Sequence, residues 1–231
     1  MYVFGKNVAL EILKKGDKIK KAYIYKDFND KNIISALQKS KICINYCTKM
    51  ELDKLANGNH QGIILSVPDY EYADISELVN GNNDLLVILD HLEDPHNLGA
   101  IIRTCEAAGV NGIIIPKDRS VSVNSTVMKV SAGALENIKI SCVTNLNNTI
   151  KYLKDNGFWI IGTDMCGTPY DKIDYSGKIA IVTGNEGNGM SKLVTESCDF
   201  IASIPMRGKI NSLNASVATG IIVYEAIKCR R

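Results

Sequence analysis

The first of three chemistry-bearing segments in this 231-residue chain is residues 89–110, LDHLEDPHNLGAIIRTCEAAGV. Asp94 suits the N-cap of a helix there, and Gly109 suits its C-terminal stop. Asn97 therefore falls in the first helical turn, beside free backbone N–H groups, and Arg103 lies about 9 Å further along the axis. Taken alone, this segment is typical of a capped amphipathic helix with one surface arginine.

The second segment is residues 181–191, IVTGNEGNGMS, in which a strand runs into three glycines that flank Glu186. Glycines at this density predict a tight turn that approaches a neighbour closely. The segment is not a Walker A loop, because Gly-Lys-Ser/Thr is missing, and its glycine spacing differs from the dinucleotide-binding fingerprint. These absences disfavour a nucleotide-phosphate enzyme. A tight turn with an exposed glutamate remains the alternative interpretation.

The third segment is residues 203–231, SIPMRGKINSLNASVATGIIVYEAIKCRR. A strand ends near 206, a polar loop follows, and a helix begins near Asn214, which places Ser212 and Asn214 at a helix N-terminus. Simple capping is the alternative role for both side chains. The helix is apolar on nearly all sides, which indicates burial on more than one side. We expect it to pack on a sheet and on a second subunit.

The elements that must position these segments are short apolar runs alternating with helical stretches. The runs cover residues 85–90, 110–116, 138–143, 158–165, 178–184 and 200–205. Continuous apolar strands separated by helices predict an α/β fold, a mostly parallel sheet with helices on both faces. Because ligands of such sheets bind outside the carboxyl ends of the strands, we expect the three segments to meet there.

A smaller α/β unit is predicted ahead of this sheet. Its helices cover residues 6–15 and 31–39, and its strands cover 22–25, 42–46 and 61–67. The polar, Asn- and Gly-rich stretch that follows is typical of a linker. We therefore predict a small domain over 1–75, a linker over 76–84 and a larger domain over 85–231.

Charge gives only a weak indication of a partner. The chain has 27 Lys and Arg against 25 Asp and Glu, a net charge of +2. Residues 1–75 hold twelve lysines against nine acidic residues, so the front third is mildly basic. Five of these lysines form a cluster that could bind nucleic-acid phosphates or could simply be a solvated face. This lysine cluster is Lys14, Lys15, Lys18, Lys20 and Lys21.

Cysteine and histidine usage argues against a metal site. The seven cysteines are odd in number and scattered, and His60, His91 and His96 lack metal-ligand spacing. No signal-peptide pattern and no apolar run of about 18 residues is visible. We therefore expect a cytoplasmic protein with reduced thiols, no bound metal and no membrane contact.

Taken together and in this order, the three segments resemble a known family. DPHNLGAIIRTCEAAG, GNEGNGMS and IPMRGKINSLNASVA are similar to the three motifs of the SpoU/TrmH family of RNA ribose 2′-O-methyltransferases, in the SPOUT superfamily. The stretch STVMKVSAGALE between the first two also resembles that family. The front of the chain is similar to the L30e-like substrate-binding domain found in the ribosomal and some transfer RNA members.

The resemblance implies a fold and a reaction. It implies a C-terminal trefoil knot, S-adenosylmethionine as methyl donor, an RNA ribose 2′-hydroxyl as acceptor and a homodimer formed through the C-terminal domain. It favours the members that methylate a guanosine of 23S rRNA. The alternatives are a transfer RNA acceptor, or a non-catalytic RNA-binding protein with the same fold.

The resemblance also assigns residues to a site. It implies that backbone of the second and third motifs surrounds the cofactor, at Gly184, Ile204 and Leu213, with Met206 close to it. It places five polar residues at the positions of the family's active site: Asn97, Arg103, Glu186, Ser212 and Asn214.

The role of Arg103 follows from its chemistry. The family's usual proposal makes this arginine the base, yet a guanidinium stays charged in proteins. We expect Arg103 to bind a phosphate of the acceptor and to stabilise the developing oxyanion, while Asn97, Ser212 and Asn214 orient both the ribose and Arg103. The 2′-hydroxyl proton would pass to solvent, a phosphate oxygen, His96 or Glu186. Alternatively, Glu186 would pair with Arg103 and hold its rotamer.

Overall fold

The computed structural model describes residues 1–16, 18–56, 58–80 and 84–230, and divides into two compact units, Met1–Glu71 and Tyr72–Arg231. The described strands of the first unit are β1 (Tyr2–Phe4), β2 (Lys21–Tyr25), β3 (Ile44–Cys47) and β4 (Ile63–Ser66). Its helices are α1 (Lys6–Lys15), α2 (Lys31–Lys39) and α3 (Lys49–Leu55). The strand order is β1-β4-β2-β3, and only the β2–β3 pair is parallel.

The local sequence explains most elements of the first unit. Helix α2 has Asp30 as its N-cap and buries Ile33 and Leu37, four residues apart. Helices α1 and α2 have the predicted bounds. Strand β1 and helix α3 were not predicted, because β1 has only three residues and α3 buries only Leu52.

The second unit is built on a six-stranded sheet in the order β10-β8-β9-β5-β6-β7, with every pair parallel. Its strands are β5 (Leu85–Leu89), β6 (Gly112–Pro116), β7 (Lys139–Val143), β8 (Trp159–Pro169), β9 (Ile179–Thr183) and β10 (Phe200–Ser203). Its described helices are α4 (Ile75–Val79), α5 (Pro95–Ala107), α6 (Ser125–Val130), α7 (Leu146–Asp155), α8 (Lys192–Glu196) and α9 (Ala215–Lys228). The parallel α/β prediction is therefore confirmed.

The linker predicted over 76–84 is wrong at its start. Helix α4 begins after the capping residue Asp74, and Leu78 and Val79 are buried in the core of the second unit. A Cβ on Gly112 of β6 would lie 2.6 Å from Cγ of Leu78, so the helix packs directly on that strand. Of the rest of the predicted linker, residues 81–83 lie outside the described residues.

Strand β8 extends beyond its predicted end, and its pairing with β10 is interrupted in the middle. It pairs with β10 at Ile161 and Gly162, and again at Thr168 and Pro169. Residues 163–167 form an excursion between these two pairings, opposite no residue of β10. The excursion therefore projects from the sheet at the end where β9 and β10 finish.

Helix α5 lies close against α6. A Cβ on Gly99 of α5 would lie 2.6 Å from Cβ of Val130 and 3.2 Å from the carbonyl oxygen of Val127. Real side chains do not approach so closely, so glycine at this position sets the distance between the two helices.

We predict that Gly99→Ala destabilises the protein although alanine favours helix by about 1 kcal/mol. Overlap with Val130 should lower the free energy of unfolding by about 1–2 kcal/mol net. The measurement is urea unfolding followed by circular dichroism. In a Val130→Gly background, which removes the overlapping Cβ, the cost of Gly99→Ala should be smaller, and a loss of equal size there would refute the packing argument.

Candidate functional site

A cavity of about 340 Å³ lies at the carboxyl end of the parallel sheet. Residues 183–189, from the end of β9 onward, form one wall. The end of β10 and the chain after it form another, through Ala202, Ile204, Met206, Asn211, Ser212, Leu213 and Ala215. The excursion of β8 contributes residues 163–165, and α9 contributes Ala218 and Ile222. The second and third segments therefore meet where strand order predicts a ligand site.

Six of the residues that sequence analysis selected line this cavity: Gly184, Glu186, Ile204, Met206, Ser212 and Leu213. The other predicted active-site residues, Asn97, Arg103 and Asn214, are not among its lining residues. Apolar side chains and exposed backbone make up much of the wall. Such a wall suits a flat heterocycle held by backbone hydrogen bonds, in a volume typical of small-molecule sites.

The glycine-rich loop, residues 184–191, is closed at its neck by its own backbone. Asn185 and Gly189 each donate an N–H to the other's carbonyl oxygen at 2.9 Å. A Cβ on Gly184 would overlap the backbone of Gly189 and Met190. Gly189 has a φ of +66°, which disfavours other residues. Glycine is therefore required at both ends of the neck.

The amide of Asn97 connects all three segments. Asn97 Nδ2 donates to Glu186 Oε1 at 2.6 Å, and Asn214 Nδ2 donates to Asn97 Oδ1 at 2.9 Å. Asn214 Oδ1 in turn accepts from the backbone N–H of Ser216 at 2.9 Å, which caps α9. This pattern fixes the orientation of both amides. Asn97 was predicted to lie off the buried stripe of α5, but it is only 7% exposed, in contact with Glu186 and Asn214.

Arg103 is not part of this network. Its side chain is exposed and makes no hydrogen bond or ion pair with any residue the structure describes. The alternative in which Glu186 pairs with Arg103 is therefore wrong, because Asn97 holds the Glu186 carboxylate instead. Six residues of helix separate Asn97 from Arg103, so the two side chains leave α5 on different faces. Ser212 and His96 are exposed as well.

Sequence analysis missed Asp90, the residue directly after β5. Its side chain is 1% exposed; Oδ2 accepts from the backbone N–H of Ser191 at 2.6 Å, and Oδ1 lies 2.5 Å from His91 Nδ1. The available signal was an acidic residue at the end of a fully apolar strand. There an acid is either exposed at the sheet edge or buried with hydrogen-bond donors.

A pair of buried threonines beneath the cavity was also missed. Thr219 Oγ1 of α9 lies 2.7 Å from the carbonyl oxygen of Ala215 and 3.0 Å from Thr183 Oγ1. A hydroxyl donates one proton, so Thr219 donates to Ala215 while Thr183 donates to Thr219. These hydrogen bonds fasten the start of α9 to the end of β9, both of which line the cavity.

The buried cysteines of the second unit are poor nucleophiles. Burial raises the pKa of the Cys105 thiol in α5 to about 12, and burial likewise raises the pKa of the Cys198 thiol to about 12. Both therefore remain neutral thiols near pH 7, and neither supplies a thiolate. Over the described ranges, no group of three or more His, Cys, Asp or Glu side chains could hold a metal ion. None of the helices in those ranges is long and apolar enough to cross a membrane.

Comparison with protein families matches both units. The profile described as "SpoU rRNA Methylase family" matches residues 84–224. The profile described as "RNA 2'-O ribose methyltransferase substrate binding" matches residues 2–73.

The TrmH family protein YacO of Bacillus subtilis is 41% identical over 238 residues, 99% of this chain and 96% of YacO. A TrmH family protein of Staphylococcus aureus is 43% identical over 237 residues, with the same coverage. Both are named as tRNA/rRNA methyltransferases.

Solved structures show the same fold. An AdoMet-bound rRNA methyltransferase from Sinorhizobium meliloti is similar with a TM-score of 0.74 and 25% identity, over 98% of this chain and 86% of that chain. The SpoU methyltransferase AviRb from Streptomyces viridochromogenes, at 22% identity, has a TM-score of 0.74 over 100% and 90% of the two chains. The TrmH/SpoU tRNA modifying enzyme of A. aeolicus has a TM-score of 0.60 and 33% identity, over 68% of this chain and 80% of its own.

Proposed function

The chain belongs to the SpoU/TrmH family of RNA methyltransferases, and we propose that it methylates a ribose 2′-hydroxyl of RNA with S-adenosylmethionine as donor. The acceptor that we favour is a guanosine of 23S ribosomal RNA. One observation carries the proposal: the amide of Asn97 joins the three motif segments beside a single cavity at the carboxyl end of the sheet.

The cavity fits the proposed donor. Backbone of the glycine-rich loop lines one side, and the apolar side chains of Ile204 and Leu213 line the other. Its volume of about 340 Å³ falls within the usual range for small-molecule sites. We assign the contacts with the donor to Gly184, Ile204, Met206 and Leu213. The Sinorhizobium meliloti relative was solved with AdoMet bound.

Glu186 is our choice of proton acceptor. S-Adenosylmethionine supplies an electrophilic methyl carbon, which bonds to the 2′-oxygen while the electron pair of its former bond stays with sulfur. The hydroxyl must lose a proton as this bond forms. Glu186 lines the cavity, and only one of its carboxylate oxygens is hydrogen-bonded by a described residue, Asn97. The other oxygen would take the proton and release it to solvent.

The other polar residues would hold the acceptor. The exposed guanidinium of Arg103 has the fork of donors that binds a phosphate through two hydrogen bonds. Ser212 lies on the rim of the cavity with an exposed side chain and would orient the ribose. Asn97 and Asn214 would act through Glu186, because their amides are committed to each other and to that carboxylate.

We further propose a homodimer formed through the C-terminal helix. Val217 and Tyr224 are seven residues apart on α9, hence on one face, and are 50% and 51% exposed. An apolar helix face left in water is typical of an interaction surface. A second copy of the chain would cover it. The trefoil knot implied by the motifs stays a prediction about the path of the same C-terminal segment.

The first unit would capture RNA through the lysine cluster. All five side chains are exposed, at the end of α1 and the start of β2, and Lys15 also pairs with Glu11 at 3.4 Å. Lysines contact phosphates without reading sequence, so they give affinity that depends on salt. The profile that matches residues 2–73 is one for substrate binding.

Ribosomal RNA is favoured over transfer RNA by coverage. The relative solved as an rRNA methyltransferase is similar over 98% of this chain, which includes the first unit. The relative solved as a tRNA modifying enzyme is similar over only 68%. The unit that would choose the RNA is therefore shared with the former. Transfer RNA remains the second candidate.

Incubation of the purified protein with isotopically labelled S-adenosylmethionine should place label in 23S rRNA transcripts and not in transfer RNA transcripts. A 2′-O-methyl group blocks alkaline cleavage at its own nucleotide, so alkaline mapping should show one protected guanosine. Label in transfer RNA alone would select the second candidate. Failure to bind S-adenosylmethionine in isothermal titration would contradict the reaction itself.

We predict that Glu186→Gln lowers kcat by about 100-fold or more, because the amide still accepts from Asn97 but takes no proton. The dissociation constant for S-adenosylmethionine should stay within about twofold, since the cavity keeps its shape. Glu196→Gln on α8 is the matched control. Near-normal turnover by Glu186→Gln would mean that this carboxylate only positions Asn97 and that the proton leaves to solvent or His96.

For the lysine cluster, we predict that a triple change of Lys14, Lys18 and Lys21 to Glu raises the KM for RNA at least about tenfold. The slope of log affinity for RNA against log salt concentration should also become shallower by about 2, because phosphate contacts are lost. Affinity for S-adenosylmethionine should be unaffected. The control applies the same charge change to Lys31, Lys39 and Lys41; equal losses in both variants would remove the cluster from the RNA site.

A further inference from the structure

Asp90 is a buried acidic residue to which the proposed reaction gives no role. It follows the last residue of β5, its backbone N–H donates to the carbonyl oxygen of Thr183 at 2.8 Å, and its side chain is 1% exposed. It is not among the residues that line the cavity. Asp90 therefore has no direct route to a ligand there.

Both ends of the glycine-rich loop are fastened to Asp90 and its neighbour. At the start of the loop, Asn185 Nδ2 donates to the carbonyl oxygen of His91 at 2.8 Å. At the end, the backbone N–H of Ser191 donates to Asp90 Oδ2 at 2.6 Å. The second carboxylate oxygen, Oδ1, holds the ring of His91 through Nδ1. Both ends of the loop are therefore hydrogen-bonded to the same two residues, Asp90 and His91, which we call the anchor.

Burial of the Asp90 carboxylate restricts the arrangements that the anchor can adopt. A carboxylate removed from water is costly unless donors replace its hydration, so Asp90 favours only arrangements that keep both of its donors in place. Hydrogen bonds to a charged acceptor are about twice as strong as neutral ones. His91 has a φ of +58°, an unfavourable value for a side-chain-bearing residue, and it is held there by these contacts.

We propose that Asp90 is a positioning residue that holds the glycine-rich loop in the shape that binds S-adenosylmethionine, acting through Ser191 and His91. The inference rests on the proposed function, because it assigns that donor to the cavity. Asp90 acts by hydrogen-bond geometry, and its charge makes no contact with the donor. Loss of the anchor should weaken donor binding and leave the RNA-binding residues untouched.

The test compares Asp90→Ala with Asp90→Asn in the full chain. Alanine removes both acceptors and should raise the dissociation constant for S-adenosylmethionine, measured by isothermal titration, by about 10- to 100-fold. Asparagine can still accept from Ser191 and can donate its amide to His91 Nδ1, so its dissociation constant should stay within about threefold. The KM for S-adenosylmethionine should rise with Asp90→Ala, while the KM for RNA stays constant.

Two further variants separate positioning from general destabilisation. Val87→Ala removes a buried side chain from the same strand and should leave donor affinity unchanged. Ser191→Pro deletes the N–H that Asp90 accepts from, at a φ of −63° that proline already prefers. It should weaken binding as Asp90→Ala does, and it serves as the test if Asp90→Ala does not fold. Hydrogen exchange of the Asn185 and Gly189 amides should accelerate in both anchor variants but not in Val87→Ala.

The outcomes are distinct. Unchanged donor affinity in Asp90→Ala, or in Ser191→Pro, overturns the positioning role. An equal loss in Asp90→Asn and Asp90→Ala also overturns it, because the charge would then be what matters. If the wild-type chain binds no S-adenosylmethionine, the proposed function fails, and the anchor is only a structural contact of the loop.

Discussion

The amide of Asn97 is the interaction on which the site depends. It occupies the first turn of α5, yet its two hydrogen bonds reach residues 89 and 117 positions away along the chain. An amide has a donor and an acceptor on one rigid group, so it can satisfy a carboxylate and a second amide at once. A side chain of that size that could only donate, or only accept, hydrogen bonds could not bind both partners. The three segments are therefore held in one geometry before any ligand enters.

Much of this arrangement could be predicted from the sequence. Apolar runs between helices indicated a parallel sheet, and parallel sheets collect the ends of their strands at one edge. That reasoning alone predicted that Glu186 and Ser212 lie near each other, and both line the cavity. Capping preferences also predicted where α5 and α9 begin, because Asp94 and Asn214 supply the N-cap hydrogen bonds of these helices.

The remainder depended on contacts that composition does not encode. The stretch before β5 is polar on average, so its linker-like composition concealed a one-turn helix whose Leu78 and Val79 are buried. Asn97 was expected off the buried stripe because helical periodicity says nothing about what covers a polar residue. Asp90 was overlooked for the same reason, since burial of an acid is decided by distant backbone donors such as the N–H of Ser191.

The excursion of β8 has a consequence for altering the enzyme. Residues 163–167 have no ladder partner in β10, and only Gly167 is bonded to that strand, through its carbonyl oxygen and Ser203 Oγ. The pairings on either side are intact, so the length of this stretch can change without the one-residue slip that would move side chains to the opposite face. Gly167 has no space for a side chain against Ile201, which leaves 163–166 as the adjustable part. Met165, 64% exposed, belongs to that stretch and to the cavity wall. This stretch is therefore the part of the cavity wall whose length can vary while the strand pairings on either side of it are kept.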